Sequence, residues 1–102
     1  MSNEREVEIR LLTLNGCDYC EWLKNELYRE DISYTNIDAE AFPDFTNSIE
    51  DRLKTNSYPM VFIDLGPNVI AIVPETDLDT NETLRTFDTI PELIGIIKSY
   101  IK

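Results

Sequence analysis

Asn15-Gly16-Cys17-Asp18-Tyr19-Cys20 holds both cysteines of the chain, two residues apart. Before it, Val7-Glu8-Ile9-Arg10-Leu11-Leu12-Thr13-Leu14 begins with alternation and then turns more apolar, as a strand does on entering a sheet covered on both faces. After it, apolar side chains recur near helical spacing at Trp22, Leu23, Leu27 and, less regularly, Tyr28, with Glu21, Lys24, Asn25, Glu26 and Arg29 between them. The cysteine pair therefore lies where a strand turns into a helix N-terminus. The spacing predicts an amphipathic helix running from about Cys20 to Glu30-Asp31, with Trp22 sharing the core stripe of Leu23 and Leu27.

Outward from that junction, Ile32-Ser33-Tyr34-Thr35-Asn36-Ile37-Asp38 is rich in β-branched and aromatic residues and follows the helix closely enough for a parallel β-α-β unit. Phe42, Phe45, Ile49 and Leu53 then recur with helical spacing, which predicts a second helix over Pro43–Lys54 with the proline in its first turn. Met60-Val61-Phe62-Ile63-Asp64 and Val69-Ile70-Ala71-Ile72-Val73, joined by Leu65-Gly66-Pro67-Asn68, read as an antiparallel hairpin. Pro74 to Arg85 is polar and without period, so an exposed loop is expected there. Thr89-Ile90-Pro91-Glu92 makes a capping box, and Ile90, Leu93, Ile94, Ile97 and Ile101 supply the stripe of a last helix. The expected order is β-α-β-α-β-β-α: one α/β domain spanning residues 1–102, with a four-stranded mixed sheet and helices on both faces.

With 20 acidic and 9 basic residues the net charge is −11, which argues against a nucleic-acid or anionic-membrane surface because both would repel the chain. A solvated acidic surface is the simple account, and a basic partner is the alternative, with no localised motif to place it. The first residues lack the basic start and apolar run of a signal peptide, and no segment approaches the ~20 apolar residues of a membrane span. A cytoplasmic protein is expected, and in that reducing setting a lone Cys-x-x-Cys points to redox or metal work before a structural staple.

A thiolate attacks disulfides, so a reactive cysteine needs a lowered pKa and access to solvent. Cys17, at the helix N-terminus, has both, and Cys20 one turn on can reach back as the resolving thiol. An inert core pair and half of a metal site are the other readings. With no histidine and no third cysteine, one chain cannot complete a Cys/His zinc set, so no metal site is expected within it. Asp18 sets a carboxylate against the helix terminus beside Cys17, which predicts a higher Cys17 pKa and a more reducing disulfide than a Cys-Pro-Tyr-Cys version would have. Tyr19 either shields the disulfide and packs against substrate or is an exposed aromatic without a specific role.

Cys17-Asp18-Tyr19-Cys20 and Ser57-Tyr58-Pro59-Met60-Val61-Phe62-Ile63, in this element order, resemble the dithiol glutaredoxins of the thioredoxin-like superfamily, whose signatures are Cys-Pro-Tyr-Cys and Thr-Val-Pro followed by an apolar strand. The resemblance covers nearly the whole chain. It implies a thiol–disulfide oxidoreductase that reduces protein disulfides through a mixed disulfide, with a cis Tyr58-Pro59 bond facing the cysteines. It also implies a substrate or glutathione site at Tyr19, Tyr58, Pro59 and Asp88. In the stretch Leu84-Arg85-Thr86-Phe87-Asp88-Thr89, Asp88 matches the residue that meets the glutathione amine, while Arg85-Thr86 stand where the family has two glycines. Arg52, Lys54 and Asn56 are the polar residues nearest in sequence for a glutathione carboxylate. No tightly bound cofactor is implied, glutathione being a co-substrate. The partners implied are a disulfide-bearing protein, with ribonucleotide reductase among the family's clients, and either glutathione or a thioredoxin-reductase-type flavoenzyme as electron donor; a monomer is expected. The rival functions are a dimeric glutathione-dependent iron–sulfur carrier and a non-catalytic binding domain.

Overall fold

The computed structural model describes residues 7–53, 57–74 and 84–101. They form β1 (Glu8–Thr13), α1 (Asp18–Arg29), β2 (Thr35–Asp38), α2 (Pro43–Leu53), β3 (Met60–Asp64), β4 (Val69–Pro74), β5 (Leu84–Phe87) and α3 (Ile90–Ile101). The sheet runs in the order β2-β1-β3-β4-β5. The β1–β2 pair is parallel, β1–β3 and β3–β4 are antiparallel, and β4–β5 is parallel.

The sheet thus has five strands where four are expected. Leu84 and Arg85, assigned by sequence to the end of an exposed loop, belong to β5, whose register pairs Ala71 with Leu84 and Pro74 with Phe87. An edge strand of four residues with Phe87 turned into the core leaves no alternation long enough to read. Pro74, where the loop is expected to begin, instead ends β4, and residues 75–83 lie outside the described residues.

Side chains alternate across the sheet as the pleat requires and separate into two apolar layers. Ile9 and Leu11 of β1, Val61 and Ile63 of β3, and Ile72 of β4 pack with Leu23 and Leu27 of α1 and with Ile90, Leu93, Ile94 and Ile97 of α3. On the opposite face Leu12, Met60 and Val73 pack with Ile49 and Leu53 of α2. Helices therefore cover both faces, α1 and α3 on one and α2 on the other.

Two helix stripes differ from their sequence reading. On α1 the buried residues are Cys20, Leu23 and Leu27, and Trp22 is 41 % exposed. Trp22 precedes Leu23 by one position, a rotation of about 100° that carries it off the buried side. On α2, Phe42 and Phe45 are exposed, and the buried residue is Thr46, whose hydroxyl donates to the Ala39 carbonyl at 2.8 Å. Ile32, expected to open β2, instead closes α1: its N–H donates to the Leu27 carbonyl while the N–H of Asp31, at φ 61°, donates to Tyr28. These two bonds form a Schellman ending, with Ile32 buried against the same core as Leu27. No described helix is long and apolar enough to cross a membrane.

Candidate active site

β1 is followed by Leu14-Asn15-Gly16, and Gly16 adopts φ 77°, a left-handed conformation that costs glycine little. The turn delivers Cys17 to the N-cap of α1, where its extended backbone accepts the Glu21 N–H at 3.1 Å. Its sulfur occupies the place of a capping oxygen and accepts the Cys20 N–H at 3.1 Å. The helix starts at Asp18, two residues earlier than the apolar spacing suggests, because the cysteine caps it.

Cys17 and Cys20 are paired as a disulfide, with their Cα atoms 5.2 Å apart. Their surroundings differ. Cys20 lies on the buried side of α1 with 0 % exposure, whereas Cys17 is half-buried at the helix end. Of the two, Cys17 is the more accessible to solvent. The helix N-terminus and the Cys20 N–H both face the Cys17 sulfur, and each stabilises negative charge on it once the disulfide is opened.

The Tyr58-Pro59 peptide bond is cis. Pro59 is buried and leads into β3, while the Tyr58 ring packs with Ile49 and Leu53 beneath α2. The Tyr58 hydroxyl donates to the Glu50 carboxylate at 2.5 Å, and burial, followed by this hydrogen bond and the Glu50 charge, pushes the phenol well above the ordinary tyrosine range. The phenol is therefore neutral and a hydrogen-bond donor throughout the physiological range.

A cleft of about 110 Å³ brings together Tyr19, Tyr58, Pro59, Pro74, Phe87, Asp88 and Ile90. Because Tyr19 stands between the two cysteines in the chain, the cleft adjoins the disulfide. It gathers the four residues singled out by sequence as a substrate or glutathione site, Tyr19, Tyr58, Pro59 and Asp88, from three separate segments. Asp88 is held by the α3 cap: Thr89 Oγ1 accepts the Glu92 N–H at 3.2 Å, and the Glu92 carboxylate accepts the Asp88 N–H at 2.8 Å. The return bond of this capping box therefore falls one residue before the N-cap.

Other expected residues lie elsewhere. Arg85 donates to the Tyr100 hydroxyl at 3.2 Å, with its guanidinium over the Tyr100 ring, and neither Arg85 nor Thr86 lines the cleft. Arg52 lines a different groove, between α2 and the sheet, together with Arg10. Lys54 and Asn56 lie outside the described residues. Sequence reasoning did not find Glu50, eight residues before its tyrosine and marked by no motif, nor the cleft wall supplied by Pro74, Phe87 and Ile90. Trp22 also belongs here: its ring stacks on Tyr19 with centroids 6.0 Å apart, and Tyr19 is itself 60 % exposed.

The glutaredoxin family model matches residues 9–65, more than half of the chain and the part that contains the cysteine motif, the cis-proline and β3. The chain belongs to the glutaredoxin family. Its fold is similar to the solution structure of a glutaredoxin from Brucella melitensis, with a TM-score of 0.58 at 20 % identity, over 98 % of this chain and 92 % of that one. No curated protein sequence matches it. For a glutaredoxin-family chain with an intact Cys-x-x-Cys pair, thiol–disulfide oxidoreductase chemistry is the general activity the relationship supports.

Proposed function

We propose that this glutaredoxin-family protein reduces protein disulfides, with Cys17 as nucleophile and Cys20 as resolving thiol. The observation that carries the assignment is the unequal exposure of the two sulfurs: Cys17 is open at a helix N-terminus beside the cleft, and Cys20 is closed off behind it.

In the dithiol form, the Cys17 thiolate attacks one sulfur of the substrate disulfide. That S–S bond breaks, a Cys17–substrate disulfide forms, and the other substrate sulfur leaves as a thiolate that takes up a proton. Cys20 then loses its proton, attacks the Cys17 sulfur and expels the second substrate thiol. Two electrons have passed to the substrate, and the Cys17–Cys20 disulfide is the product form of the protein. An external dithiol, or two equivalents of a monothiol such as glutathione, reverses the sequence and restores the reduced pair.

The cleft supplies the positioning. A cis-proline exposes the backbone of the residue before it, so Tyr58 can pair with an extended segment of substrate beside the disulfide. Tyr19 and the apolar wall of Pro59, Phe87 and Ile90 exclude water around the exchanging sulfurs, and Asp88 is the acceptor for an ammonium group. Glutathione or a flavoprotein reductase acts as the electron donor. The reading is tested by assaying reduction of a protein disulfide with the wild-type protein and with Cys17→Ser, supplying either glutathione with its reductase or a thioredoxin reductase. Turnover lost in Cys17→Ser with both donors supports it; equal turnover in the variant contradicts it. The donor that sustains the wild-type rate is the physiological class.

A further inference from the structure

The charges around the cleft are of one sign. Asp88 is its charged lining residue, and the phenol of Tyr58 leads to the Glu50 carboxylate. Asp18 is exposed beside Cys17, one helical turn from Trp22. No lysine or arginine lines the cleft among the described residues. Lys24 of α1 is paired with Glu21 at 3.5 Å, and Arg85 is engaged with Tyr100. Arg10 and Arg52 line the groove under α2 instead. The excess of acid that composition alone left unplaced is therefore represented at the redox site.

Next to these carboxylates lies an exposed aromatic surface, the stacked rings of Tyr19 and Trp22. Trp22 is not among the buried residues of α1 and remains 41 % exposed. Aromatic faces flanked by carboxylates attract lysine and arginine head groups, through the ring quadrupole and through direct charge pairing, while an apolar cleft accepts the aliphatic parts of the same segment. A segment with carboxylates flanking its cysteine meets repulsion from Asp18 and Asp88.

Resting on the oxidoreductase reading above, we propose that the disulfide reduced here belongs to a cationic segment of a partner protein, with lysine or arginine flanking its cysteine. The cysteine and its apolar neighbours occupy the cleft along Tyr58-Pro59, and the basic side chains lie over Tyr19 and Trp22 and against Asp18 and Asp88.

The test uses the reduced full-length protein and three substrates: two disulfide-linked peptides identical except for lysine or glutamate flanking the cysteine, and the neutral hydroxyethyl disulfide. At low ionic strength the lysine-flanked peptide is expected to be reduced roughly tenfold faster than the glutamate-flanked one, and the ratio falls toward one as salt screens the site. Trp22→Ala and Asp88→Asn are expected to lower the ratio several-fold, a readout independent of how much protein is folded. Equal rates for the two peptides, a faster glutamate peptide, or a ratio untouched in both variants would overturn the proposal while leaving reduction of the neutral disulfide intact. Failure to reduce any of the three substrates would instead overturn the oxidoreductase reading, and this inference with it.

Discussion

The two sides of α1 show how one helix divides between holding the fold and presenting the chemistry. Cys20, Leu23 and Leu27 face inward and are fully buried, packed toward the sheet and α3. Asp18, Tyr19 and Trp22 lie off that side and are exposed, with the Tyr19 and Trp22 rings stacked on one another. The cysteine pair straddles the boundary: Cys17 caps the helix from outside, Cys20 belongs to the buried side, and the three-residue spacing brings their sulfurs together across it. A nucleophile and its resolver need unequal access, and a helix that starts at the edge of a core supplies it.

That contrast can be broken from the inner side. Leu23→Ala removes a fully buried side chain and is expected to cost about 2–5 kcal/mol of unfolding free energy in urea denaturation, with the turnover of the remaining folded molecules retained. Trp22→Ala, one residue earlier on the exposed side, is expected to cost much less, within about 1 kcal/mol in the same measurement. Equal losses at the two positions would mean that the sides of α1 are not distinct.

The Tyr58–Glu50 link sharpens the picture where α2 meets the cleft. Tyr58→Phe removes the donor to Glu50 and is expected to cost about 1 kcal/mol near neutral pH. The folded protein holds the Tyr58 proton to higher pH than the unfolded chain does, so this stabilisation is complete below the ordinary tyrosine value of about 10 and is lost as pH rises toward the raised one. The stability advantage of wild type over Tyr58→Phe in urea titrations is therefore expected to shrink as pH rises above about 10. A constant gap would show that the phenol does not titrate as its surroundings require.

The smallest expected effect is at Asp18, exposed beside the Cys17 cap. A carboxylate beside the sulfur opposes the thiolate, weakly where solvent screens it, so Asp18→Pro is expected to lower the Cys17 pKa slightly. The thiolate absorbance of the reduced protein, followed against pH, measures it, and a raised pKa in the variant would show that the carboxylate does not oppose the charge.

The strand-to-helix junction was legible in sequence because its signals are local: alternation before Asn15-Gly16, helical spacing after it, and cysteines at the break. The hairpin of β3 and β4 was legible for the same reason, as two β-branched runs about a Gly-Pro-Asn turn. What escaped depends on partners distant in sequence. β5 exists because β4 offers an edge to four residues of which Phe87 reaches the core. Trp22 fits a loose apolar pattern, yet which side of a helix is buried is decided by the sheet and by α3. Thr46 took the buried place on α2 because its hydroxyl found the Ala39 carbonyl, a bond no periodicity announces. At the site, Tyr58-Pro59 and Asp88 were located by resemblance, whereas Glu50 and the aromatic pair emerged from three-dimensional packing alone.

The unequal roles of the two cysteines are tested most directly by incubating the reduced Cys20→Ser and Cys17→Ser variants with a disulfide-bearing protein and identifying covalent adducts by mass spectrometry. The expected result is a stable mixed disulfide through Cys17 in the first variant and none in the second. Adducts formed as readily through Cys20 in Cys17→Ser would contradict the division between the exposed nucleophile and the buried resolver.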